Sequence, residues 1–141
     1  MTQDKARILI AEDSRPLANV MRFNLERAGF DVTVARDGAE AAQRIDVERF
    51  DLVLTDLQMP NMDGEQLCRH IRSNPDRSDL PIVVCSAKGL EVESTSFVIK
   101  YGISHMLYKP FSPVGLVNIV AITLRHATNT HANRPLARSP A

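Results

Sequence analysis

The sequence predicts a doubly wound α/β domain, a five-stranded parallel sheet covered by helices on both faces. Three observations predict it. Short apolar runs rich in β-branched residues recur along the chain, and stretches of helical periodicity opened by good capping residues lie between them. Strand and helix alternate five times, the order that right-handed crossovers turn into a parallel sheet. With 141 residues, 44% of them hydrophobic, the chain can bury one sizeable core but is short for two ordinary domains.

The runs Ile8 to Ala11, Leu52 to Leu54, Ile82 to Cys85 and the weaker Met106 to Tyr108 read as buried strands. A further run, Val32-Thr33-Val34-Ala35, alternates polar with apolar residues as a half-exposed edge strand does. The first helix opens on Ser14, with Pro16 in the turn where a missing N–H costs nothing. Its expected apolar stripe is Leu17, Val20, Met21, Leu25 and Ala28, and Gly29 stops it. Asp37 with Glu40, and Asp63 with Gln66, have the spacing of capping boxes and open the second and third helices. The segment from Gly89 to Lys100 is expected to be helical despite the mediocre formers Ser94, Thr95, Ser96 and Val98. Ser112-Pro113 opens a last helix that should run to about Arg125.

Composition narrows the functional classes. Lys plus Arg equal Asp plus Glu at 17 each, which gives no support for a nucleic-acid binder. The balance is uneven along the chain, since no acidic residue follows Glu93, so carboxylates concentrate toward the front. Neither a secretory signal nor a membrane span is legible, and a cytoplasmic protein is expected. Cys68 and Cys85 sit among apolar neighbours outside any C-x-x-C pair, so both should be buried reduced thiols. His70, His105, His126 and His131 lack the spacing of a zinc site.

In an open α/β sheet, ligands bind beyond the carboxyl ends of the strands, near the point where strand order reverses. The residues following the runs are therefore the informative ones: Glu12-Asp13, Asp56, Ser86 and Lys109. Each has a bland reading alone, as a helix cap, a solvated turn or a solvated lysine. If those strands neighbour one another, three carboxylates converge in a small space, where their repulsion would raise pKa values unless a cation compensates. Magnesium favours one or two carboxylates, waters and a phosphate oxygen, which suits Glu12, Asp13 and Asp56, and Lys109 adds a second positive charge. Asp56 can serve as a nucleophile, because carboxylates form acyl phosphates, and Ser86 can hydrogen-bond a phosphoryl oxygen.

The blocks Ile8-Leu-Ile-Ala-Glu-Asp13, Asp56-Leu-Gln-Met-Pro-Asn-Met-Asp-Gly64, Ser86-Ala87 and Lys109-Pro-Phe111 resemble the signature blocks of response-regulator receiver domains over roughly residues 6 to 125. The resemblance implies a flavodoxin-like (βα)5 fold with strand order 2-1-3-4-5 and a receiver domain over 1–126, while the Thr, Asn, Arg, Pro and Ala content of 127–141 reads as a loose tail. The resemblance further implies that Asp56 is phosphorylated with Mg2+ (or Mn2+) held by Glu12, Asp13, Asp56 and the backbone carbonyl of Gln58. Ser86 would be the switch hydroxyl, Lys109 the phosphate-contacting lysine, and Lys109-Pro110 a candidate cis bond. Gln58 and Lys88 occupy the positions that tune loss of the phosphoryl group. One departure is Met106, which stands where the family's switch residue is usually aromatic, with Tyr108 two residues on.

The expected partners are a histidine kinase or histidine phosphotransfer protein and a downstream protein docking on the fourth helix, fifth strand and fifth helix. Neither nucleic acid nor membrane is expected as a partner, and the chain should be a monomer or weak dimer. It is expected to catalyse only its own phosphorylation and dephosphorylation. Two rivals remain: a metal-dependent phosphatase or phosphotransferase working through an aspartyl-phosphate, and a receiver-like interaction domain that is never phosphorylated. The first usually carries D-x-D, and the second position here is Gln58.

Overall fold

The computed structural model describes residues 5–87 and 91–132, with side chains outside 91–95 and 128–132. The five apolar runs are strands β1 (Arg7–Ala11), β2 (Asp31–Ala35), β3 (Leu52–Asp56), β4 (Ile82–Ala87) and β5 (His105–Lys109). The helices are α1 (Arg15–Arg27), α2 (Gly38–Val47), α3 (Gly64–Arg72), α4 (Glu91–Tyr101) and α5 (Pro113–Ala132). All four strand pairings are parallel and the order is β2-β1-β3-β4-β5, as the resemblance implied. From β1 the chain steps outward to β2 and then crosses back to β3, so strand order reverses between β1 and β3. The crevice beyond their carboxyl ends is where such sheets bind ligands.

Side chains alternate along each strand, and this splits the core in two. Ile8, Ile10, Leu52, Leu54, Val83 and Cys85 face α1 and α5, packing with Met21, Leu25, Leu116 and Val120. Leu9, Ala11, Val53, Ile82 and Val84 face the other side, against Ala41, Ile45, Leu67, Cys68, Ile71 and Tyr101 from α2, α3 and α4. Burying each large aliphatic side chain contributes roughly 1.5–3 kcal/mol, which holds the central strands in a fixed register. Both cysteines are free and buried, as expected.

The capping signals act largely as read. Ser14 caps α1, with Pro16 in its first turn, and Gly29 follows at φ 100°, a left-handed conformation that glycine adopts without strain. Asp63 and Gln66 form a complete capping box on α3. At α2 only half the box forms. Asp37 accepts from the Glu40 amide, but the Glu40 carboxylate reaches past it to the Arg36 amide at 2.7 Å.

The structure corrects two expectations and adds one element. Ala18, Met21 and Leu25 form the buried face of α1, whereas Val20 is 47% exposed. Helix α5 continues past Arg125 to Ala132, into the segment expected to be a loose tail, of which 133–141 lie outside the described residues. A short 3₁₀ turn at Pro75–Arg77, capped by Asn74, was not legible in the pattern.

Candidate functional site

Parallel register brings the strand ends to one level. Ala11 pairs with Thr55, Asp56 with Cys85 and Ala87 with Lys109, so Glu12, Asp13, Asp56 and Lys109 all emerge at the carboxyl edge. One oxygen from each of Glu12, Asp13 and Asp56 lies within 4.8 Å of the others. Among the described residues this is the one cluster of potential ligands close enough to hold a metal ion. Its acidic members differ in setting: Glu12 is 3% exposed and Asp56 9%, while Asp13 is open to solvent.

Each buried carboxylate has defined partners. Asp56 Oδ1 accepts the Leu57 amide at 2.8 Å, and its Oδ2 accepts the Lys109 ammonium at 2.9 Å. Glu12 Oε2 accepts the Ser14 amide at 2.9 Å, and its Oε1 lies 3.4 Å from Lys109 Nζ. Burial pushes the Glu12 carboxyl above its usual range. The Ser14 amide works against that shift, the Asp56 charge reinforces it, and Lys109 opposes it. For Lys109, burial alone would lower the ammonium, but the hydrogen bond and charge of Asp56, joined by Glu12, outweigh it and hold the group above its usual value. Among the described residues, three carboxylates face one ammonium, which leaves them incompletely neutralised. A donor set made wholly of hard oxygens, partly buried and incompletely neutralised, fits a small divalent cation such as Mg2+.

The loop from Leu57 to Asp63 forms one wall. Gly64 N donates to Leu57 O at 2.8 Å, and a Cβ on Gly64 would stand 2.3 Å from Asp56 O, so only glycine lets α3 start this close to the strand. At the loop tip Asn61 adopts φ 68° and donates its side-chain amide to Asp37 Oδ2 at 2.6 Å. The spacing of residues gave no sign of this contact, since it joins positions 24 apart through a left-handed turn.

The remaining predicted residues fall around this centre. Ser86 is fully buried, and its hydroxyl donates to the Ala87 carbonyl at 3.2 Å. Gln58 is exposed, two residues past Asp56. Met106 is half-buried against the core on the α4 side of the sheet. The Lys109-Pro110 bond is cis. Lys88 lies outside the described residues. Of the described histidines, His70 pairs with Asp46 at 3.0 Å, away from the acidic pocket.

The model of the response regulator receiver domain family matches residues 8–121. The chain belongs to that family. The receiver domain of Francisella response regulator 1452 is similar at 30% identity and a TM-score of 0.79, over 86% of this chain and 98% of its own. Chemotaxis response regulator CheY4 of Vibrio cholerae is 27% identical with a TM-score of 0.79, over 85% of this chain and 99% of its own. The signal receiver domain of a Syntrophus aciditrophicus signal transduction histidine kinase is 26% identical with a TM-score of 0.76, over 92% and 95%. The chain is thus a receiver domain of two-component signalling. Every member of its acidic pocket, together with Lys109, falls within the matched span. No helix among the described residues of this receiver domain is long and apolar enough to cross a membrane.

Proposed function

We propose that Asp56 accepts a phosphoryl group from the phosphohistidine of a histidine kinase or histidine phosphotransfer protein, and that the modified domain binds a downstream protein differently. The observation that carries this is the placing of Asp56 at the end of a central strand, among two further carboxylates and 2.9 Å from the Lys109 ammonium. In the transfer, an Asp56 oxygen forms the new P–O bond as the donor's P–N bond breaks, and the electron pair leaves with the imidazole, which takes a proton from solvent. Water later attacks the phosphorus, returning the carboxylate and inorganic phosphate. The chain thus promotes its own modification and its reversal, without turning over an external substrate.

Lys109 already donates to Asp56 and would follow the added charge onto a phosphoryl oxygen. Such charge stabilisation supplies most of the catalysis in phosphoryl transfer. Glu12, Asp13, Asp56 and the Gln58 carbonyl would hold Mg2+ or Mn2+, and the bound ion would offset the crowded negative charge. Ser86 would release the Ala87 carbonyl and donate to the phosphoryl group instead. Met106, unbranched and flexible, would follow it into the space vacated on the α4 side. Gln58 and Lys88 would set how readily water reaches the acyl phosphate.

The readout would be a population shift of α4, β5 and α5, the face on which the downstream protein docks. Ile99 on α4 and Val114 on α5 are 76% and 69% exposed, apolar surface of the kind a protein partner covers. We place this signalling in the cytoplasm, with the chain acting as a monomer or weak dimer. The test is incubation with phosphoramidate, a small P–N donor, and Mg2+, followed by intact-mass spectrometry of wild type and Asp56→Asn. A phosphoryl adduct on wild type alone supports the reading. Equal labelling of both proteins, or of neither, overturns it.

A further inference from the structure

We propose that Asp37 and Asn61 form a latch that positions the Gln58 carbonyl at the metal site, a role that rests on the reading above. The loop from Leu57 to Asp63 is fixed at its base by Gly64 N to Leu57 O at 2.8 Å, and by the Leu57 amide on Asp56 Oδ1. Its tip is fixed separately. Asn61 Nδ2 donates to Asp37 Oδ2 at 2.6 Å, and Gly38 N donates to Met62 O at 3.0 Å. Gln58 lies between the two anchors.

Several features suit this pair to holding a loop in place. Asn61 stands at φ 68°, a left-handed conformation that asparagine tolerates better than most residues and that costs free energy unless its surroundings hold it. Gly38 has no room for a side chain, because a Cβ would lie 2.2 Å from Met62 O, so the loop tip rests directly on the start of α2. Asp37 divides its oxygens: Oδ1 caps the Glu40 amide at 2.8 Å, leaving Oδ2 for Asn61. The cap and the latch are therefore separable by substitution. Groups that orient a metal ligand without touching the metal commonly matter about tenfold or more in affinity.

Asp37→Asn keeps a capping oxygen for Glu40, as asparagine caps helices about as well as aspartate, but turns an amide toward the Asn61 amide. Asn61→Asp in that background restores a donor facing an acceptor with the roles exchanged. The experiment measures Mn2+ affinity by calorimetry and amide hydrogen exchange of residues 57–62 in the metal-free protein, for wild type, Asp37→Asn, Asn61→Ala and the Asp37→Asn/Asn61→Asp double variant. The latch predicts roughly tenfold weaker Mn2+ binding and faster loop exchange in both single variants, and recovery of both in the double variant. Single variants equal to wild type, or a double variant no better than the singles, would overturn it. Exchange and affinity are read without phosphorylation. An unlabelled wild type with an intact rescue pattern would thus sink the phosphoacceptor reading alone, and a labelled wild type without rescue would sink the latch alone.

Discussion

Replacing Asp13 with Asn is expected to stabilise the metal-free domain while weakening its hold on a divalent ion. The three acidic side chains approach within 4.8 Å, and at that separation two like charges repel by about 3.5 kcal/mol at an effective dielectric of about 20, or about 0.9 kcal/mol in bulk water. Asp13 is open to solvent, which places its repulsions near the lower figure. It faces both Glu12 and Asp56, but the Lys109 ammonium contacts those two and offsets part of their field. The net gain on removing the Asp13 charge is therefore about 1 kcal/mol. Urea unfolding followed by circular dichroism, in chelator and again in excess Mg2+, measures it. In chelator the variant should have the higher midpoint. In Mg2+ the order should close or invert, because a tenfold weaker ligand forfeits up to about 1.4 kcal/mol of linked stabilisation. A variant less stable than wild type in chelator, or one that gains as much from Mg2+, would refute the charge-crowding argument.

Two further outcomes follow from the geometry. Because burial raises the Glu12 carboxyl above 4.5, the folded state binds that proton more tightly than the unfolded chain, so its ionisation costs stability as pH rises from about 4.5 through the raised folded value. Glu12→Gln should accordingly gain on metal-free wild type across that window and hold its lead above it. Unfolding midpoints at several pH values check this, and a pH-independent gap would contradict it. Gly64→Ala would set a Cβ 2.3 Å from Asp56 O and 2.8 Å from Leu57 Cα, both backbone atoms, so a loss of about 2–4 kcal/mol is expected by urea unfolding. A loss below about 0.5 kcal/mol would mean that the loop yields where the structure says it is pinned.

Much of this fold can be read from the chain because its local signals agree with one another. β-Branched runs and cap residues mark every strand and most helix starts, and in an open α/β sheet the site must lie at the strand ends. Asp56 and Lys109, 53 positions apart, could thus both be placed at the carboxyl edge, the strand order implied by the resemblance set them near one another, and the structure joins them at 2.9 Å. The errors have physical reasons. On α1 both Val20 and Ala18 fit a helical stripe around Met21, and hydrophobicity favours valine, yet the helix turns the alanine inward and leaves Val20 47% exposed. Helix α5 outruns its expected end because Thr128, Asn129 and Thr130 weaken a helix without breaking it, and the next proline is Pro135. The contact of Asp37 with Asn61 depends on a left-handed residue and a tertiary approach, neither of which has a periodic signature.

The most direct measurement is peptide-level mass spectrometry of the domain after exposure to an acyl-phosphate donor, with the divalent ion present or chelated. A phosphoryl group confined to the peptide bearing Asp56, formed with Mg2+ and lost when Mg2+ is removed or Lys109 is replaced by Ala, is the predicted result. Modification at another residue, or labelling of Asp56 that is indifferent to both Mg2+ and Lys109, would contradict the account.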